Sequence, residues 1–154
     1  MISDIPNLIS DFKNVAALAG VHLEQGDIEV EELKSPHTAP SKLPTGKMAV
    51  YTFFFNGQCL KVGKAGPHSQ ARYTSQHYSA KSAPSTLAKS ILKEIDDFGV
   101  ADIEEDNVGK WIKENTDRVN FLVGVNLGIP VLTLLESFLQ CRLRPRFEGF
   151  KSQR

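Results

Sequence analysis

The chain is short of cysteine, of long apolar runs and, over one long stretch, of acidic side chains. Its 154 residues include two cysteines, Cys59 and Cys141, which are too few for a disulfide framework or a four-ligand zinc site. No apolar run is long enough to span a membrane, and the first residues lack the basic and apolar segments of a secretory signal. We therefore expect a cytoplasmic protein with reduced thiols and no membrane association.

The overall composition is that of one globular domain. Hydrophobic residues make up 41% of the chain and charged residues 23%, which argues against disorder and against a coiled coil. A chain of this length buries roughly 70% of its unfolded surface, which is enough for a core without covalent or metal cross-links.

The net charge of zero hides an uneven distribution of charged residues. Residues 47–93 hold seven basic residues and no acidic one, whereas residues 94–117 hold nine acidic and two basic residues. Residues 1–46 are net acidic and residues 118–154 are net basic. Such a basic stretch can face a polyanion, or it can pair with the acidic blocks inside the fold. The distribution alone leaves both alternatives open.

The hydrophobic pattern predicts an α/β fold of the α+β type, in which helices flank a small central antiparallel sheet. Residues 48–55 and 58–63 are rich in aromatic and branched residues, and Asn56-Gly57 between them predicts a β-hairpin with a type I′ turn. Helices are predicted at residues 4–19, 69–79, 85–98, 107–115 and 130–143, and a further strand at residues 118–125.

Proline divides the chain into two parts. Residues 34–47 contain Pro36, Pro40 and Pro44 among small and polar residues, which is typical of a connector. The predicted organisation is an N-terminal helical extension with its connector, residues 1–45, followed by the main domain, residues 46–154.

Three features carry possible chemistry. Gly63 and Gly66 after the hairpin allow close backbone approach to a ligand and Lys64 between them can hold a phosphate, although the spacing is not that of a P-loop. Arg72 can bind phosphate with two parallel hydrogen bonds, and the nearby His77 can exchange a proton near neutral pH. Each signal is weak alone, since a plain strand-to-helix loop and a solvated arginine are the more common explanations of such residues.

Glu136 is the third feature. It lies at the rim of the apolar side of the predicted helix 130–143 and is the only carboxylate between Asp117 and Glu148. A carboxylate in this position either pairs with a neighbouring arginine, which is the more common outcome, or binds a cation. A single carboxylate suits Mg²⁺, which keeps several waters and takes substrate phosphate as a ligand.

Taken together, these segments resemble the GIY-YIG nuclease family over roughly residues 45–150. The two signature tripeptides correspond to Ala49-Val50-Tyr51 and Lys61-Val62-Gly63, and Lys64-Ala65 follows, as in the nuclease domain of the bacterial excision-repair incision protein. Arg72 falls at the position of the family's arginine and Glu136 at that of its metal-binding glutamate. The segment Arg144-Pro145-Arg146-Phe147-Glu148-Gly149 resembles the family's closing motif.

The resemblance implies a metal-dependent endonuclease that hydrolyses phosphodiester bonds in DNA, with RNA also open as a substrate. Glu136 would bind one Mg²⁺ or Mn²⁺, Arg72 would stabilise the phosphate, and Tyr51 would orient or activate water. Lys61 and His77 would assist catalysis. The nucleic acid would be held by Lys64, Arg142, Arg144 and Arg146.

The chain departs from the family pattern at Ala49, Lys61 and Glu148, and His77 lies five residues after Arg72 instead of four. In addition, the simplest hairpin pairs Thr52 with Lys61 and puts Tyr51 on the opposite face of the sheet, so that a bulge or a longer turn is needed.

Two alternatives therefore stay open. One is a degenerate module that binds nucleic acid without cutting it. The other is an assembly protein that docks a partner, or a second copy of itself, through residues 1–33.

Overall fold

A computed structural model describes residues 2–147, which form five helices and four strands. In chain order these are α1 (Ile5–Leu18), β1 (Ile28–Leu33), β2 (Lys47–Phe55), β3 (Gln58–Ala65), α2 (Gln70–Thr74), α3 (Leu87–Lys93), α4 (Val108–Asn115), β4 (Asp117–Gly124) and α5 (Ile129–Leu143). Short 3₁₀ turns lie at Gln76–Tyr78, Ile95–Phe98 and Val125–Leu127. No helix within residues 2–147 is long and apolar enough to cross a membrane.

All strand pairs are antiparallel, and the strand order in the sheet is β1-β4-β2-β3. The predicted α+β fold and its central hairpin are confirmed. Asn56 and Gly57 both adopt positive φ, at 48° and 78°, which is the requirement that made this pair a hairpin signal.

Strand β1 is the element that the sequence analysis missed. Its register places Ile28 opposite Val123 and Leu33 opposite Arg118, so the segment forms one edge of the sheet. The segment Ile28-Glu29-Val30-Glu31 does alternate in polarity, but three glutamates in six residues weaken the strand signal. Residues 28–33 thus belong to the sheet, and the N-terminal part is more than a helix and a connector.

The sheet is covered by helices on both faces, which explains why β2 is apolar along nearly its whole length. On one face, Met48, Val50 and Phe54 pack with α1 and α5. On the other face, Ala49 and Phe53 pack in a second core, which takes in α2, α3 and α4. Alternation along β2 therefore assigns each side chain to one of two cores.

Helix α1 is held by its apolar side. Asp4 caps the helix by accepting a hydrogen bond from the backbone N–H of Asn7, and Leu8, Phe12 and Ala16 are buried in the first core. The ring of Phe12 lies 5.5 Å from that of Phe138 on α5. The apolar face that could have docked a partner is used inside the domain.

We predict that Phe12→Ala lowers the free energy of unfolding by about 3–5 kcal/mol, because it leaves a cavity in this fully buried position. Urea denaturation measures the effect. Leu18→Ala on the same helix is the matched control, because Leu18 is 91% exposed and its loss should change stability by less than about 0.5 kcal/mol. Equal small effects of both substitutions would show that α1 is a detachable extension.

Candidate functional site

A β-bulge decides which side chains of the hairpin lie on the same face. The structure has the bulge that the sequence analysis gave as one of two alternatives to the simplest hairpin. Thr52 lies opposite Val62, Phe53 lies opposite Lys61, and the register shifts between Phe53 and Phe54. The extra residue in β3 reverses the facing of every residue beyond it. Tyr51 and Lys61 consequently lie on the same face, as the family resemblance requires.

Gly63 makes room for the ring of Tyr51, which lies across β3. The two residues are cross-strand partners, and a Cβ added to Gly63 would lie 2.6 Å from the Tyr51 hydroxyl oxygen and 2.8 Å from two ring carbons. Any side chain at residue 63 would therefore displace the ring. Glycine is required here by close approach, and its effect is to bring the phenol of a central strand over the outer strand of the sheet.

The phenol of Tyr51 meets His77, whose Nε2 lies 2.6 Å from the hydroxyl oxygen. The predicted helix 69–79 is interrupted, because α2 ends at Thr74 and His77 lies in the following 3₁₀ turn. This break changes the helical register. It lets His77 and Arg72, five residues apart, serve one site, which an unbroken α-helix would prevent.

The second ring nitrogen of His77 fixes its tautomer. The backbone N–H of Leu87, at the start of α3, donates to Nδ1 of His77 over 3.2 Å, so the ring proton lies on Nε2. His77 therefore donates to the Tyr51 oxygen. Burial lowers the pKa of His77 to about 2, and the charges of Lys61 and Arg72 add to this effect. His77 is a neutral donor that cannot take the phenol proton.

Tyr51 is completely buried, and burial raises its pKa to about 12. Arg72 and Arg118 oppose that rise with their positive charges, whereas Glu136 adds to it. At neutral pH the phenol is protonated and accepts a hydrogen bond from His77, so its own proton is available to another acceptor.

Lys61 is the most unusual of the candidate residues. Its side chain lies in the interior with 3% relative exposure, and its Nζ donates to Oγ of Ser85 over 3.3 Å. Burial lowers the pKa of Lys61 to about 8, helped by the charge of Arg72 and opposed by that of Glu136. A substantial fraction of this amine is neutral slightly above neutral pH, and in that form it can accept a proton.

Arg72 lies on α2 and is half-buried. Its charge affects the pKa of Tyr51, Lys61 and His77, which shows that it lies close to all three. The structure thus brings together the four residues that the sequence analysis assigned to catalysis.

Glu136 is paired with a lysine in the structure. Helix α5 packs along β3, and Nζ of Lys64 lies 2.5 Å from Oε2 of Glu136. This pair belongs to the α5 face of the sheet, whereas Tyr51 belongs to the other face. Because β3 is the outer strand, side chains from both faces can reach its edge. The negative charge of Glu136 accordingly raises the pKa of Tyr51 and of Lys61.

The candidate site would offer a divalent ion a single carboxylate, that of Glu136. Within residues 2–147 no group of three or more histidine, cysteine or acidic side chains could hold a metal. One carboxylate that already binds a cation, the ammonium of Lys64, suits an ion that keeps most of its waters. An ion at Glu136 would compete with the ammonium of Lys64 for this carboxylate.

The three arginines assigned to nucleic-acid binding do not converge on this site. Arg142 pairs with Asp11 on α1 at 2.6 Å, and Arg146 pairs with Glu94 and Asp97. Arg144 ends α5 in a left-handed conformation and is exposed. Two of the three arginines thus pair with acidic residues inside the fold, which is one of the two alternatives that the charge distribution left open. Glu148 lies outside the described residues.

Arg118 is a site residue that the sequence analysis missed. It is fully buried on β4, and its guanidinium carbon lies 5.5 Å from the centre of the Tyr51 ring. The only indication of its role in the sequence was its position, as a single arginine near the start of a largely apolar strand. The strand assignment alone could not show which face it occupies, because that depends on the register.

Comparison of the chain with protein-family models, with curated proteins and with solved structures finds no significant match.

We predict that Lys61→Met stabilises the protein at pH 7, because the variant removes a charge that the interior disfavours. The folded state releases the Lys61 proton near pH 8 and the unfolded state near pH 10.5. Between these pH values the free energy of unfolding of the wild type therefore rises relative to that of the variant. The difference in free energy of unfolding should fall by on the order of 2–3 kcal/mol over that range. Urea denaturation at stepped pH measures it. For Lys110→Met, at an exposed position on α4, the difference should stay constant. A constant difference for Lys61→Met would contradict the assignment.

Proposed function

We propose that the protein is a metal-dependent endonuclease of the GIY-YIG type that hydrolyses phosphodiester bonds in DNA. The observation that carries this proposal is the convergence of Tyr51, Lys61, Arg72 and His77 above β3, with the charge of Glu136 nearby. These are the residues that the motif resemblance selects. They are drawn from β2, β3, α2 and a 3₁₀ turn, and only the fold brings them together.

Each residue has a distinct part in the proposed reaction. Water attacks the phosphorus atom, the bond to the leaving oxygen breaks, and charge develops on the phosphate oxygens. Arg72 binds those oxygens. Tyr51 orients the attacking water, with its ring held across Gly63 and its oxygen held by the Nε2 proton of His77. Lys61 in its neutral form has the pKa suited to accept the proton that the water gives up.

Glu136 would hold the Mg²⁺ or Mn²⁺ ion. When bound, such an ion neutralises charge on the phosphate and on the leaving oxygen. Lys64, whose side chain is 36% exposed, would then be able to bind a phosphate of the nucleic acid.

A second function, binding of nucleic acid without cleavage, is favoured by one observation. The Lys64 ammonium already neutralises Glu136, so the carboxylate does not need a metal for its charge to be compensated. Salt-dependent binding to DNA or RNA without turnover in Mg²⁺ or Mn²⁺ is the outcome that this function predicts. A protein partner for residues 1–33 stays a separate proposal, and it would have to use surfaces other than the buried side of α1.

The proposed activity predicts that Arg72→Ala and Glu136→Ala each lower metal-dependent DNA cleavage by about 100-fold or more, because each removes charge stabilisation of the transition state. The assay follows nicking of plasmid and cleavage of single-stranded and branched DNA with Mg²⁺ or Mn²⁺, with RNA as a parallel substrate.

Circular dichroism and thermal melting establish that both variants are folded. Arg142→Ala is the matched control, because it removes an arginine whose partner is Asp11 and should keep cleavage within about threefold of wild type. Wild-type protein that leaves every substrate intact would rule out the nuclease function.

The pairing of Lys64 with Glu136 makes a separate prediction about metal affinity. Lys64→Met removes the internal competitor for the carboxylate, so the free protein should bind Mn²⁺ about threefold to tenfold more tightly in calorimetric titrations. Lys47→Met is the matched control, since Lys47 pairs with Glu29 at the opposite side of the sheet and its removal should leave Mn²⁺ binding unchanged. Unchanged or weaker binding after Lys64→Met would show that Glu136 is not the metal ligand.

A further inference from the structure

Arg118 is the most buried charge in the described part of the chain. Its relative exposure is 0%, and its three direct hydrogen-bond acceptors are an amide, a phenol and a backbone carbonyl. The carboxylate of this network is that of Glu31 on β1. It is linked to Arg118 only through Asn120, whose side-chain amide donates to it. A buried guanidinium without a carboxylate in direct contact is costly, so its retention calls for a compensating role.

All three tyrosines of the chain contact this guanidinium. Its carbon lies 4.9 Å from the ring centre of Tyr73 and 5.5 Å from that of Tyr51, and Nη1 donates to the hydroxyl of Tyr78 over 3.1 Å. A cation over an aromatic face is attracted to it, most strongly when water is excluded. The ring of Tyr51 is thus in contact with glycine on β3 and with a cation from β4.

The hydrogen bonds of Arg118 reach the two segments that carry the other candidate residues. Nη2 donates to the carbonyl oxygen of Tyr73 over 2.6 Å, and Tyr73 immediately follows Arg72 in the chain. Tyr78, bound by Nη1, immediately follows His77. The donors of Arg118 lie on three nitrogens of a planar group and can hold both segments at once, whereas the donors of an ammonium all lie on a single nitrogen.

We propose that Arg118 is the positioning residue of this site, which holds the ring of Tyr51 and ties the segments of Arg72 and His77 to strand β4. The role rests on the proposed nuclease function for its effect on rate, but its structural part is independent of cleavage. Arg118 touches no substrate in this proposal. It acts through the placement of the residues that do.

The test compares Arg118→Lys, which keeps the charge but loses the fork, with Arg118→Met, which loses both. On the DNA substrate, kcat should fall about tenfold for Arg118→Lys and about 100-fold for Arg118→Met, while KM stays within about twofold, because misplaced catalytic groups slow the chemical step. Lys110→Met, at an exposed position on α4, is the control and should keep both constants.

The second readout does not need cleavage. The Nε2 proton of His77, protected by its bond to Tyr51, should give a nuclear magnetic resonance signal in protein labelled with ¹⁵N-histidine, which has four histidines. The signal is assigned with His77→Gln and should be lost in Arg118→Met. Phe12→Leu, which destabilises the opposite core, controls for a general loss of stability and should keep the signal.

Folded Arg118 variants that keep the His77 signal and a kcat within twofold of wild type would overturn the proposal, and so would failure of both variants to fold, since Arg118 would then serve stability alone. If only Arg118→Met is unfolded, kcat and the His77 signal of Arg118→Lys decide the outcome. If wild-type protein does not cleave DNA but Arg118→Met loses the signal, the nuclease function fails and the positioning role stands.

Discussion

One extra residue in strand β3 is the constraint on which the site depends. Without the shift between Phe53 and Phe54, Tyr51 and Lys61 would lie on opposite faces of the sheet, in different cores. With it, Tyr51, Lys61 and Gly63 share a face, and the open space above Gly63 is filled by the phenol. The bulge is thus part of the site, although it lies near the turn of the hairpin and contributes no side chain to chemistry.

Burial is the source of the unusual chemistry of these residues. The same desolvation raises the pKa of Tyr51, lowers that of Lys61 and keeps His77 neutral. The positive charges of Arg72 and Arg118 oppose the effect of burial on the pKa of Tyr51, whereas they add to its effect on the pKa of His77. The result is a small region in which Lys61, with a pKa of about 8, gives up its proton more readily than Tyr51, with a pKa of about 12. On a protein surface the order is the opposite, since the ordinary pKa of tyrosine is about 10 and that of lysine about 10.4.

Local signals predicted much of this fold. The Asn56-Gly57 turn, the apolar run of β2 and the period of α5 followed from propensity and pattern, because each is decided by neighbouring residues. Strand β1 was missed because its identity depends on pairing with β4, and three glutamates conceal its alternation. The sequence left the register of the hairpin open between a bulge and a longer turn. A bulge is selected by packing on both faces of β3, which the sequences of the two hairpin strands do not show.

The candidate site residues also divide into those that the sequence predicts and those that only the fold reveals. Tyr51, Arg72 and His77 follow from a motif resemblance, and the structure brings them together. Arg118 carries no motif, and its importance is visible only when the strands are aligned. Arg142 and Arg146 belong to a basic block that suggested nucleic-acid contact, but the structure gives both of them acidic partners close in space and distant in sequence.

The order of the strands has an electrostatic consequence. Strand β1 at one edge carries Glu29, Glu31 and Glu32, whereas β3 at the other edge carries Lys61 and Lys64, with Arg72 following on α2. The two edge strands of a protein with zero net charge thus carry side chains of opposite sign. A polyanion attracts the basic side chains of β3 and repels the acidic ones of β1, and both effects weaken as added salt shortens the Debye length.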